Sequence, residues 1–410
     1  MKSDLDRLMQ KYAIDVIFVY GGEEPNMQRA YLMNGVHANG YVIKKQGEVP
    51  IAIVNGMERD EAAKSGLTIH TWEDYNFGEL YKQHKDDRAA FERALLGTVF
   101  EKLGVRGRVG LYGTADVMRL TWLLREVFPT LPNVEIVADH AAIDLFQNAY
   151  ETKDPNEIAR LQEVAQRASA VMRATRDFIS QHRAAKDGIV VDEDGEALTV
   201  GDVKQFVRQQ NLENNLENSA GLIFAQGRDA GIPHSSGQDD QILHTGQSIV
   251  FDYFPRDTES GYFHDVTRTW SIGYAEPEIQ TVYDQVLEAF HIVNDSAKVG
   301  DDGSIYQNRV CDVFESHGHP TTRSKPDTHE GYVHSLGHGL GLNIHEAPHF
   351  GIYPRGGILA AGNVFTIEPG LYYPDRGYGV RIEDTVYFDE QGVLRTLTDV
   401  PYDLVLPLNG

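Results

Sequence analysis

An aspartate stands inside an apolar run at Ser248-Ile-Val-Phe-Asp252-Tyr-Phe254, where a buried strand ordinarily carries only hydrocarbon. Three further acids sit in comparable places. Asp265 lies in Gly261-Tyr-Phe-His-Asp265-Val-Thr-Arg-Thr-Trp270 and shares a strand face with Thr267 and Thr269. Glu368 ends the run Phe365-Thr-Ile-Glu368, just before Pro369-Gly370. Glu383 falls in Gly379–Phe388, where period-two alternation puts Val380, Ile382, Val386 and Phe388 on one face. Arg381, Glu383, Thr385 and Tyr387 fall on the other. For any one of these acids a turn cap or an ion pair is explanation enough. For the set that reading weakens, because carboxylates are rarely buried without partners.

Two divalent cations would balance the four negative charges. His338, in His334-Ser-Leu-Gly-His338-Gly-Leu-Gly-Leu-Asn-Ile-His345-Glu346, adds one nitrogen donor. A mostly oxygen site with a single imidazole suits manganese, cobalt, iron or zinc. Glycines at 337, 339 and 341 would let backbone approach an ion closely. The same glycines do not form a phosphate loop, since no Lys-Ser/Thr follows them.

A chain of 410 residues is too long for one ordinary core, so two domains are expected, at 1–150 and 151–410. The first alternates helical and strand-like stretches. Ile14–Tyr20 reads as a buried strand ending at Gly21-Gly22, with further strands over Gly40–Ile43 and Val49–Val54 and helices over 86–104 and 115–128. It is an α/β domain without a compact set of ligands or nucleophiles. The second opens at Asp154-Pro-Asn-Glu157, which offers an N-cap, a proline at the first helical position and a glutamate three residues after the cap. A long amphipathic helix follows through Ile158, Leu161, Val164, Ala168, Val171 and Met172, and another spans 278–295.

Lys and Arg total 37 against 61 Asp and Glu, a formal charge of −24 that repels phosphate backbones and argues against nucleic acid as a partner. The first residues lack the basic-then-apolar pattern of a signal peptide. No apolar run approaches the roughly 20 residues that span a bilayer, so no membrane partner is expected. The one cysteine, Cys311, has no internal partner, which fits a cytoplasmic location, and it reads as a small buried apolar residue.

In combination, the four segments resemble the metallopeptidase family with the pita-bread fold (family M24), which includes methionine aminopeptidases, aminopeptidase P, prolidase and the metal-free creatinase. The resemblance covers roughly the last 260 residues. The first 150 are similar in layout to the N-terminal domain of prolidase, aminopeptidase P and creatinase. The implied fold class is α+β, a pita-bread catalytic domain preceded by a smaller α/β domain. The resemblance implies five metal ligands at Asp252, Asp265, His338, Glu368 and Glu383. Asp252 would chelate one ion, His338 and Glu368 the other, with Asp265 and Glu383 bridging both. Manganese is expected ahead of cobalt, zinc or iron.

Further site residues follow from the same resemblance. Non-ligand histidines fall on His234, His334 and His345. His334 resembles the proline-specific branch. Arg381 would orient Asp252 or other carboxylates, and Glu368 would shuttle a proton. The implied activity is hydrolysis of the first Xaa-Pro bond of dipeptides or short peptides by a hydroxide bridging two metals, in a homodimer.

Two departures bear on the substrate. Phe254 stands where the family has glycine, and the hairpin from Asp252 to Asp265 is about two residues longer than the family's. Alternatives with the same fold are a non-proline aminopeptidase, an enzyme acting on a non-peptide substrate, and a metal-free binding module. The complete ligand set disfavours the last two. The remaining histidines invite ordinary readings: His264 points to the opposite strand face from Asp265, and His317, His319 and His329 lie in a solvated loop.

Overall fold

The computed structural model describes residues 4–22, 26–137, 139–353 and 357–409. The chain divides into two compact units, Met1–Ala149 with Glu259–Gly261 and Tyr150–Thr258 with Tyr262–Gly410. Its architecture is the α+β type expected from the sequence.

The first unit is built on a six-stranded sheet in the order Thr68–Thr71, Ile51–Val54, Gly40–Lys45, Val16–Tyr20, Gly107–Gly113, Val134–Val137. Only Gly40–Lys45 runs against its neighbours. Val16–Tyr20 is buried along its whole length, which is why it reads as one unbroken apolar run. The expected helix over 86–104 forms as Arg88–Leu103. Asp87 caps it by accepting from the Ala90 amide, and Gly104 ends it in the left-handed conformation at φ 62°. The expected helix over 115–128 stays regular only across Val117–Trp122. It then widens through Leu123–Val127 and tightens at Phe128–Thr130, where Pro129 has no N–H to continue the ladder.

The second unit begins with the helix Pro155–Ser180. The Asp154 side chain accepts from the amides of Asn156 and Glu157 while Glu157 reaches back to the Asp154 amide. A four-stranded sheet runs Ile223–Gln226, Ser248–Tyr253, Val266–Ile272, Val405–Leu406. A five-stranded sheet runs Glu346–Phe350, Gly337–Gly339, Val364–Ile367, Asp384–Phe388, Leu394–Thr396. Gly370–Tyr373 pairs with Tyr378–Arg381 as a separate ribbon. The expected strand over 379–388 is therefore two strands, broken at Ile382-Glu383. An isolated bridge from Glu383 to Thr267 joins the break to the neighbouring sheet. The helices Pro277–Asn294 and Gly303–Ser316 share one core with these strands, and Cys311 is fully buried in it. No helix among the described residues is long and apolar enough to cross a membrane.

One buried ion pair ties the C-terminal segment to this framework. Arg268 and Asp384 are each 1% exposed and 2.8 Å apart. The Arg268 guanidinium also donates to the carbonyls of Thr267, Glu383, Val400 and Pro401, and it lies 4.4 Å from the Tyr402 ring centroid. Tyr402 donates to the other Asp384 oxygen. Asp384→Ala leaves the guanidinium buried without its counter-charge, and the expected loss is about 3–5 kcal/mol of stability. A urea midpoint unchanged from wild type would contradict it.

Candidate metal centre

Each acid reaches the centre from the end or middle of a strand. Asp252 is on Ser248–Tyr253, in register with Thr267 on the adjacent strand. Asp265 immediately precedes Val266–Ile272, Glu368 immediately follows Val364–Ile367, and Glu383 immediately precedes Asp384–Phe388. His338 occupies the middle of Gly337–Gly339. A register shift in the pairing with Glu346–Phe350 falls right after it.

The five side chains converge. Asp265, His338 and Glu383 each offer a ligand atom within 4.8 Å of the others. His338 Nε2 is 3.4 Å from Glu368 Oε1 and 3.6 Å from Asp265 Oδ2. Asp252 joins through Arg381, whose Nη2 donates to Asp252 Oδ2 at 2.6 Å. Arg381 Nε donates to Thr267 Oγ1 at 3.1 Å, and that hydroxyl donates to Glu383 Oε2 at 2.7 Å. The Thr366 hydroxyl donates to Glu368 at 3.3 Å.

Electrostatics oppose full ionisation of this cluster as bare protein. Burial pushes the carboxyls of Asp265 and Glu383 well above the usual range, and their acidic neighbours push further. Burial pushes Glu368 up to about 8, opposed by Arg381. His338 is pushed down to about 3 by burial and by His345, so its ring is neutral. Its Nδ1 lies 3.1 Å from the Gly339 carbonyl. With the proton donated there, Nε2 turns a lone pair toward the acids. Asp252 Oδ1 and Asp265 Oδ1 are buried with no hydrogen-bond partner. Buried, unpartnered carboxylate oxygens in a cluster of acids with a neutral imidazole are the donor set of a cation site.

The glycines around His338 are required by close backbone neighbours. A Cβ on Gly337 would sit 2.0 Å from the Thr366 carbonyl oxygen, and one on Gly339 would sit 2.0 Å from that of Ala347. They admit the neighbouring strands. At Gly341 the close atoms belong to Glu346 and Lys153.

The non-ligand histidines lie at the same centre. The His345 ring is 4.3 Å from that of His338, nearly perpendicular to it. His234 is exposed and lies near both His334 and His345. His334 is half-buried, and burial pushes it down to about 3. Its Nδ1 meets the Ser335 carbonyl at 2.7 Å and its Nε2 meets the Tyr372 hydroxyl at 2.8 Å. Tyr372, pushed up to about 12 by burial, keeps its proton and accepts from Arg381 Nη1 at 2.7 Å. Tyr372 thus links His334 to Arg381 and Asp252. Nothing in the sequence distinguished it from a core tyrosine. His319 corrects an expectation: it is half-buried, with its ring nitrogens on the Tyr373 hydroxyl and the Gln285 side chain. His317 ends the helix Gly303–Ser316 and meets Glu288. His264 is 1% exposed and packs against Thr398.

Comparison with known proteins gives this centre its context. Residues 159–390, more than half of the chain, match metallopeptidase family M24. The chain belongs to that family. It is 29% identical over 254 residues to the uncharacterized peptidase YqhT of Bacillus subtilis, covering 62% of this chain and 64% of that protein, just under two thirds of its length. It is 26% identical over 402 residues to a Xaa-Pro dipeptidase of Pyrococcus horikoshii, covering 97% and 96%. Its fold resembles that of an X-Pro aminopeptidase from Thermotoga maritima with a TM-score of 0.75 at 20% identity, covering 97% of this chain and 99% of the other. The family and the two-domain α+β fold expected from the motifs are thereby confirmed, and the similar proteins include a Xaa-Pro dipeptidase and an X-Pro aminopeptidase.

Proposed function

We propose that this chain is a two-metal peptidase that removes the first residue of short peptides whose second residue is proline. The observation that carries the metal reading is the pair of buried, unpartnered oxygens on Asp252 and Asp265 among converging acids. Asp252 would hold one ion, His338 and Glu368 the other, and Asp265 and Glu383 both, with manganese as the first candidate. Bound there, divalent ions lower the pKa of water and polarise a carbonyl. The remaining chemistry belongs to the chain. Arg381 fixes Asp252, and Thr267 fixes Glu383. Glu368, on the rim of the cluster at 15% side-chain exposure, is the proton shuttle. His345 and His234 are the candidate donors to the developing oxyanion, and losing one such donor costs about 10²–10³ in rate.

The preference for proline rests on the Xaa-Pro relatives and on His334. A bond to proline has a tertiary nitrogen without N–H, so an enzyme for it recognises ring shape and helps the nitrogen depart. Wild type, tested with manganese on Xaa-Pro dipeptides, Xaa-Pro-Xaa tripeptides and Xaa-Ala controls, is expected to show a higher kcat/KM for the proline series. His334→Ala should narrow that ratio. A wild-type preference for Xaa-Ala would instead support the non-proline aminopeptidase reading. An unchanged ratio in the variant would leave His334 as a support for Ser335 and Tyr372 alone. We also propose a homodimer in the cytoplasm, read by sedimentation velocity and by cell fractionation.

A further inference from the structure

The loop that carries His345 is held by a buried ion pair outside the ligand set. Lys153 Nζ and Glu346 Oε2 are 2.8 Å apart, and each side chain is 2% exposed. The ammonium also donates to the Tyr150 carbonyl at 2.7 Å, and the Lys153 amide donates to the Gly362 carbonyl at 2.8 Å, so the lysine is anchored at both ends. The other Glu346 oxygen accepts from the backbone amide of Asn343 at 2.9 Å and from its side-chain amide at 3.1 Å. Asn343 in turn accepts from the Gly341 amide at 3.0 Å. Glu346 is the first residue of its strand and pairs with Gly339, one residue past His338. The segment from Gly339 to Glu346 is therefore a closed loop, pinned at its base by the carboxylate. A Cβ at Gly341 would meet Glu346 Oε2 at 2.7 Å and Lys153 Cε at 2.8 Å, so the glycine lets the loop lie against the pair.

A buried ion pair is a poor source of net stability, because desolvating both charges offsets most of their attraction. What it supplies here is a fixed direction at the base of the loop. We propose that Lys153 and Glu346 are positioning residues that fix the 340–345 loop and thereby hold the His345 ring against His338. The inference rests on the reading of His345 as a substrate-contacting group. It makes a separate claim about the loop that is read without metal or substrate.

The test uses the full-length protein and Lys153→Met, which removes the ammonium and keeps the apolar stem. Amide hydrogen exchange at Gly341 and Asn343 should quicken about tenfold, the scale on which losing a hydrogen-bonded partner loosens a local opening equilibrium. Exchange at Thr366 and Thr385, paired in the neighbouring strands, should stay as in wild type. If the variant unfolds, Lys153→Met with Glu346→Gln removes both buried charges and keeps an acceptor for Asn343. The double variant should regain the wild-type Tm while the loop amides still exchange fast. Unchanged loop exchange in every folded variant overturns the proposal. The activity arm is a cycle with His345→Ala. Lys153→Met is expected to lower kcat about tenfold on its own with two metals retained, and to add nothing in the His345→Ala background. Additive losses would mean the pair does not act through His345, which also overturns it. Failure of wild type to cleave any peptide would count against the proposed function, while the exchange arm would still decide the role of the pair.

Discussion

Removal of divalent metal should reduce peptidase activity by more than about a thousandfold, and added manganese or cobalt should restore it. The magnitude follows from what the ions supply: a water pKa brought from 15.7 to about 7, and several kcal/mol of charge stabilisation at the carbonyl. Neither is within reach of the protein groups left behind. The neutral ring of His338 and the crowded carboxylates of Asp265, Glu368 and Glu383 form a donor set with no electrophile of its own. Arg381 meets the Asp252 carboxylate, and Asp252, Thr267 and Tyr372 already occupy its nitrogens. The check is a chelated preparation, with metal content determined by mass spectrometry, assayed before and after each ion is returned. Full activity in a sample holding well under one ion per chain would refute the metal reading outright.

The second large effect concerns the two acids at the middle of the cluster. Asp265→Ala and Glu383→Ala should each lose both ions and reduce kcat by at least about a hundredfold, the lower end expected for removing a group that stabilises developing charge. The fold should persist. Asp265 is flanked by strand residues with an apolar face of their own, and its main chain is tied to the Thr385 hydroxyl by its amide and its carbonyl. Glu383 likewise keeps both backbone bonds to Thr267. Removing one acid also relieves repulsion among those that remain, so neither variant should melt far below metal-free wild type. Metal content and far-ultraviolet circular dichroism on the same samples separate the outcomes. Two tightly held ions per chain in either variant would show that the bridging roles are misassigned. Loss of the folded spectrum would show that these acids support the framework.

Much of the architecture was legible because it rests on local rules. The run Val16–Tyr20 is apolar throughout because its strand is covered on both faces. Asp154-Pro-Asn-Glu157 announces a helix start by offering partners to amides that no helix can satisfy internally, and the structure uses them. Boundaries were read less well where a local pattern met a tertiary constraint. The alternation over 379–388 looks like one strand, yet the chain breaks at Ile382-Glu383. Asp384, which has the parity of the apolar Val386 and Phe388, pairs with the buried Arg268. Parity counts residues, and it carries no information about which buried cation lies opposite.

The same division runs through the candidate site. The sequence by itself determined that four acids occupy positions where burial demands a counter-charge, that one histidine with glycine neighbours accompanies them, and that the segments match a known metallopeptidase family. Spacing is enough for the acids, because an unpaired carboxylate in an apolar strand is costly wherever the strand lies, while the family follows from the resemblance of the motifs themselves. Only the tertiary structure decided which groups hold the acids in place. The hydroxyls of Thr267 and Tyr372, the fork of Arg381, and the Lys153–Glu346 pair join residues between 9 and 193 positions apart. Each is an unremarkable residue in its own segment. Its role appears only when folding brings a donor and an acceptor within hydrogen-bond range in a place closed to water.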